Sequence, residues 1–176
     1  MDWLEIKEFL RDSAKYILTI IAVLVVVIYV VSVQQIMGPS MKPTLNNGDI
    51  VLLNKFQYRL FDIKRNQIIA LNYKDTKYMV KRVIGLPGEK IEFKDNTLYI
   101  NDKAYTEPFI KNVKTNDFSL KDIGYDVIPD DMYLVLGDNR ENSMDGRDFG
   151  LIKKKDIIGK ASIRIWPLNK IKIIRW

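Results

Sequence analysis

Tyr16–Val33 reads YILTIIAVLVVVIYVVSV, eighteen residues in which only Thr19 and Ser32 are neither apolar nor aromatic. As a helix rising 1.5 Å per residue this run extends roughly 27 Å, close to the thickness of a bilayer's hydrocarbon core. It predicts a membrane-spanning helix. Before it, Met1–Lys15 sets Lys7, Arg11 and Lys15 against Asp2, Glu5, Glu8 and Asp12, the pattern of a short interfacial helix. A cleaved secretory leader has a shorter apolar core, a net-positive start and a small-x-small cleavage site, so the span is read as an uncleaved anchor over residues 16–35. Basic residues lie on both sides of it, and their count does not fix its orientation.

Beyond residue 35 the pattern changes to period two, in short runs bounded by turn residues. Asp49–Leu53, Gln67–Tyr73, Lys77–Ile84, Lys90–Phe93, Thr97–Ile100, Asp131–Leu136, Ile157–Trp166 and Ile171–Ile174 read as strands, with Asp95-Asn96 turning one hairpin. Tyr105–Asp126 lacks periodicity and reads as a long surface excursion. The fold expected is mainly β: an antiparallel sheet domain over residues 36–176, behind a 1–15 amphipathic segment and one N-terminal transmembrane helix.

The chain contains no histidine and no cysteine. That excludes Ser-His-Asp and Cys-His catalysis, the common zinc ligand sets and any disulfide framework, and leaves Lys, Asp, Glu and Tyr as bases. No metal or cofactor is expected. The net charge of +6, from 28 Lys+Arg against 22 Asp+Glu, suits an anionic membrane surface, and no basic-aromatic cluster points to nucleic acid.

Directly after the anchor, Ile36–Leu45 reads IMGPSMKPTL and offers Ser40 in a Gly-Pro-Ser-Met turn, a candidate nucleophile that needs a base within reach. Tyr78–Ile84, YMVKRVI, supplies one. On a strand, Met79, Lys81 and Val83 share a face, so the Lys81 amine is flanked by apolar side chains, and desolvation disfavours its charged form. A neutral lysine can accept the Ser40 proton. Taken alone, the strand fits an edge lysine whose stem reaches water better, since most lysines do this, and the context has to decide.

Gly137–Gly150, GDNRENSMDGRDFG, follows a strand and reads as a fixed loop whose Asp and Asn side chains satisfy their own backbone. It fails the calcium-loop pattern, since Arg140 falls at a ligand position and no glycine is sixth. Gly85–Lys90, GLPGEK, lacks the phosphate-loop frame and reads as a turn.

In this order, MGPSMKPTL at 37–45, GDIV at 48–51, KRVIGLPGE at 81–89 and the 137–150 loop resemble the motif boxes of type I signal peptidases in their compact, single-anchor form. The resemblance covers nearly the whole chain. It implies that Ser40 attacks the scissile carbonyl of a preprotein and that Lys81 takes its proton, that the Ser143 hydroxyl helps hold the lysine amine, and that Asp145 and Arg147 brace the site. Arg82, on the strand face opposite Lys81, is assigned Asp138 as ion-pair partner. The Ser40 backbone N–H would be one oxyanion donor; where some relatives add a serine side chain, this sequence has Gly38. Cleavage after small-x-small motifs is implied, with Ile36, Met37 and Val80 as pocket or strand-pairing residues. So are a monomer, signal-bearing preproteins and the phospholipid membrane as partners, and a single-pass topology with a cytoplasmic N-terminus and an extracytoplasmic domain. Two other classes fit parts of the sequence: a membrane-tethered peptide-binding relative without chemistry, and a Ser-Lys self-cleaving regulator. Trp3, Trp166, Trp176 and Phe149 are candidates for the lipid interface, with burial the expectation for Trp166 and Phe149.

Overall fold

A computed structural model describes residues 2–56, 61–73, 77–110 and 113–174. Helix α1, Trp3–Val30, is continuous, so the charged segment and the apolar run read separately in the sequence form one element 28 residues long. Asp2 and Glu5 close a capping box at its start. Its apolar side chains stand exposed along its length, as lipid-facing ones would. The helix stops where the sequence had suggested it would continue. Val31–Gln35 forms strand β1, paired antiparallel with β2 (Ile50–Asn54) from Val31↔Asn54 to Gln35↔Ile50. Ladder bonds outweigh five further helical residues here, and Lys55 fixes the junction: its N–H donates to the Val30 carbonyl at 2.8 Å and its amine to the Ile28 carbonyl at 2.7 Å, meeting orphan acceptors at the helix end.

The remaining strands are β3 (Ile68–Tyr73), β4 (Lys77–Gly85), β5 (Ile91–Lys94), β6 (Thr97–Ile100), β7 (Lys103–Tyr105), β8 (Phe118–Ser119), β9 (Met132–Leu136), β10 (Ile152–Lys153), β11 (Ile157–Trp166) and β12 (Lys172–Ile173). A larger sheet runs β1-β2-β11-β3-β4-β9-β10, with β12 on β11; a smaller one runs β7-β6-β5-β8. The pairings are antiparallel. Strands β7, β8 and β10 were not apparent in the sequence: two or three residues are too few to show a period.

The larger sheet is buried on both faces near its centre. On β3, Ile68 and Ala70 enter one core with Ile36, Met41, Leu45, Val51, Leu53 and Val80, while Ile69 and Leu71 enter another with Val83, Val135 and Ile157. Phe149 is partly buried and packs on Tyr73 with ring centroids 4.8 Å apart, whereas Trp166 is half exposed at the end of β11 beside Ile50, contrary to the expectation of burial. Trp3 is exposed, and Trp176 lies outside the described residues.

Candidate active site

Ser40 sits in the turn that leaves β1, and this turn is anchored by its apolar residues. Ile36, Met41 and Leu45 are buried in one core, and the Ile36 N–H donates to the Asp49 carbonyl at 2.8 Å. Gly38 takes φ +84°, a conformation costly for any residue with a Cβ, and its N–H donates to Asn47 Oδ1 at 2.8 Å. The serine is therefore presented by a turn held from both sides.

Strand β4 supplies the amine. The register Ile69↔Lys81 and Ile68↔Arg82 sends these neighbouring cations to opposite faces of the sheet. Lys81 is 2 % exposed. Burial lowers its pKa from 10.5 to about 8; Asp145 raises it, Arg147 lowers it, and Asp148 and Asp138 raise it, with burial the largest effect. Its Nζ donates to Ser143 Oγ at 3.1 Å, the amine's one hydrogen bond among the described residues. The Ser40 hydroxyl and the Lys81 amine are not hydrogen-bonded to one another, but both residues line a cavity of about 80 Å³ with Ile36, Met37, Val80 and Met79. Ile36 and Val80 are buried there and Met37 is exposed.

The loop after β9 carries the rest. Asp145 is fully buried; it accepts from Arg147 Nε at 2.9 Å and Nη2 at 3.0 Å, and from the Gly137 N–H at 2.9 Å. It also caps a single helical turn, α2 (Gly146–Phe149). On the other face of β4, Arg82 forms a two-pronged pair with Asp138, Nε to Oδ1 at 2.8 Å and Nη2 to Oδ2 at 2.7 Å, with both side chains sealed from solvent. The Arg82 guanidinium also lies 3.8 Å from the Phe109 ring centroid and donates to the Asn66 carbonyl.

Three residues here escaped sequence reasoning as individuals. Asn139 holds the backbone around Ser40, its N–H donating to the Ser40 carbonyl at 3.0 Å and its side-chain amide to the Pro39 carbonyl at 3.3 Å. Gly137 lies where a Cβ would fall 2.1 Å from Ser143 Oγ and 2.6 Å from the Ser40 carbonyl oxygen, so only glycine lets the two segments meet. Arg140 is buried and donates from Nε to the Gly137 carbonyl at 3.0 Å. All three fall inside the GDNR stretch, whose density of turn residues marked a fixed loop without saying what it held.

Among the described residues, no group of His, Cys, Asp or Glu is arranged to hold a metal ion. What these groups can do together is expose a serine hydroxyl and a desolvated amine to one small cavity, with the amine's direction set by a second hydroxyl.

Residues 10–166 match the family described as "Signal peptidase, peptidase S26". The chain is 37% identical over 179 aligned residues to "Signal peptidase IB" of Staphylococcus aureus (strain Mu50), covering 94% of each, and 46% identical over 134 residues to "Signal peptidase I V" of Bacillus subtilis (strain 168), covering 71% of this chain and 80% of that one. Among solved structures it is similar to a signal peptidase I from Enterococcus faecalis V583, with a TM-score of 0.52 and 36% identity over 58% of this chain and 98% of the other.

Proposed function

The chain belongs to the signal peptidase family, peptidase S26, and is a peptidase of the signal peptidase I type; on that premise we propose that it is a membrane-anchored serine endopeptidase that frees secreted preproteins from their signal peptides through a Ser40–Lys81 dyad. Ser40 Oγ attacks the scissile carbonyl carbon as its proton passes to the neutral Lys81 amine. The tetrahedral adduct collapses, the C–N bond breaks, and Lys81 returns the proton to the departing amine. Water then attacks the ester carbonyl with Lys81 again as base, which releases the signal peptide's new carboxylate and restores Ser40.

The observation that carries this reading is the buried Lys81 amine, directed by Ser143 and facing the cavity that Ser40 also lines. An ammonium already bound to a carboxylate would hold its proton; Lys81 has a hydroxyl instead, while Asp145 is engaged with Arg147 and Gly137. The 80 Å³ cavity, walled by Ile36, Met37 and Val80, supports selection of small side chains near the cleaved bond. The apolar run that fills the second half of the 28-residue helix α1 supports anchoring beside substrates whose signal segments are themselves in the bilayer, which raises their effective concentration. The family's topology adds a cytoplasmic N-terminus and an extracytoplasmic domain.

Cleavage of a signal-bearing preprotein in detergent tests the dyad. Ser40→Ala and Lys81→Ala should each lose activity by several orders of magnitude while retaining the wild-type circular dichroism. For the wild type, kcat/KM should fall about tenfold per pH unit below about 8, because the amine is neutral only above its pKa. Cleavage that survives either substitution would refute the mechanism.

A further inference from the structure

The excursion between β7 and β8 returns two side chains to the catalytic loop. Glu107 receives both Nη atoms of Arg140, Nη1 to Oε2 at 2.9 Å and Nη2 to Oε1, and Thr115 Oγ1 receives Nη1 at 3.1 Å. The Arg140 side chain is sealed from solvent, and the Glu107 side chain is 12 % exposed. A buried guanidinium without its counter-charge is costly, and among the described residues Glu107 is the only carboxylate paired with it. The Nε–H holds the Gly137 carbonyl, and the Arg140 carbonyl accepts from Arg147 Nη2 at 2.7 Å. One guanidinium thus fixes the glycine that lies against both Ser143 and Ser40, and its backbone fixes the arginine that braces Asp145. The Phe93 ring of the smaller sheet lies 5.3 Å beneath the same cation, so the clamp ties that sheet to the loop as well.

We propose that Glu107 is a positioning residue for proton transfer: through Arg140 it holds the Gly137 carbonyl in place, and with it the Ser143 hydroxyl that directs the Lys81 amine. This rests on the Ser-Lys reading of the site. Glu107 touches neither substrate nor dyad. Its effect is geometric, and displacements of about an ångström at a reacting pair cost up to roughly a hundredfold in rate. The groups that act on Lys81 and would shift with the loop are Asp145, Asp148 and Arg147; Asp138 acts on it more weakly, from the opposite face of β4, and is held independently by Arg82.

The test compares full-length Glu107→Gln and Glu107→Asp in detergent for kcat, KM, the acid limb of kcat/KM and thermal unfolding. The glutamine variant should lose roughly tenfold or more in kcat with KM within about twofold, and its acid limb should move, because the loop charges around Lys81 relax. The aspartate variant, charged but shorter, should recover part of kcat and hold the limb near the wild-type position. If Glu107→Gln does not fold, Glu107→Asp decides: an altered kcat at unchanged KM supports positioning. An unmoved limb in a folded Glu107→Gln or, where only Glu107→Asp folds, a wild-type kcat per folded enzyme makes Glu107 a residue of the fold alone and overturns the proposal. Ser40→Ala, run in parallel, separates the two readings: activity that survives it sinks the dyad, while a dead Ser40→Ala beside a kinetically normal Glu107→Gln sinks only the clamp.

Discussion

Lys81 works against the stability of the fold it serves. Its pKa is about 8 in the folded chain and 10.5 as a free side chain, so across that interval the unfolded state binds more protons. Stability should therefore rise as pH climbs from about 8 to about 10.5, with the full cost of burying the ammonium present below that window. The difference corresponds to about 3 kcal/mol. Lys81→Met, which removes the charge and keeps much of the volume, should abolish cleavage and raise unfolding stability at pH 7 by up to that amount, less what Ser143 loses as its partner. Urea denaturation across the pH window checks both statements, and a stability that fell with rising pH would contradict the burial argument.

Two elements make the site by ending or passing at one place. Strand β4 alternates its side chains, so a single strand delivers Lys81 to one face and Arg82 to the other, and Arg82 locks the loop from behind through Asp138. Strand β9 ends at Leu136, and the next residue must pass between Ser143 and the Ser40 carbonyl. Gly137→Ala should force those segments apart, costing about 1–3 kcal/mol of stability and up to roughly a hundredfold in kcat. Steady-state kinetics beside thermal unfolding would show it. Wild-type turnover in that variant would mean that the contact of loop and turn is not needed for alignment.

For the whole molecule, helix α1 and the larger sheet meet at β1. This strand continues directly from α1 and forms the edge of the larger sheet, pairing with β2 over five residue pairs. A chain begun at Val31 keeps that ladder and should unfold near the full-length stability in detergent. One begun at Ile36 loses β1, exposes the edge of β2 and should be less stable by roughly 3–5 kcal/mol. Denaturant unfolding of the two truncations distinguishes them; equal stabilities would show that β1 contributes nothing to the stability of the sheet.

The local pattern by itself determined the apolar helix, most of the longer strands, the absence of histidine and cysteine chemistry, and Lys81 on an apolar strand face. Each of these is a property of neighbouring residues, and periodicity and composition report neighbours. What it could not place was the end of α1 at Val30, because Val31 and Val33 suit lipid and sheet equally well until Leu52 and Asn54 come alongside. Only the tertiary structure decided that the Tyr105–Asp126 excursion sends Glu107 and Thr115 back to Arg140, and that Gly137 is the spacer between Ser143 and Ser40. Arg140 lies 25 positions from Thr115 and 33 from Glu107, and Gly137 lies 97 from Ser40, and no local pattern encodes which distant side chain meets a buried charge.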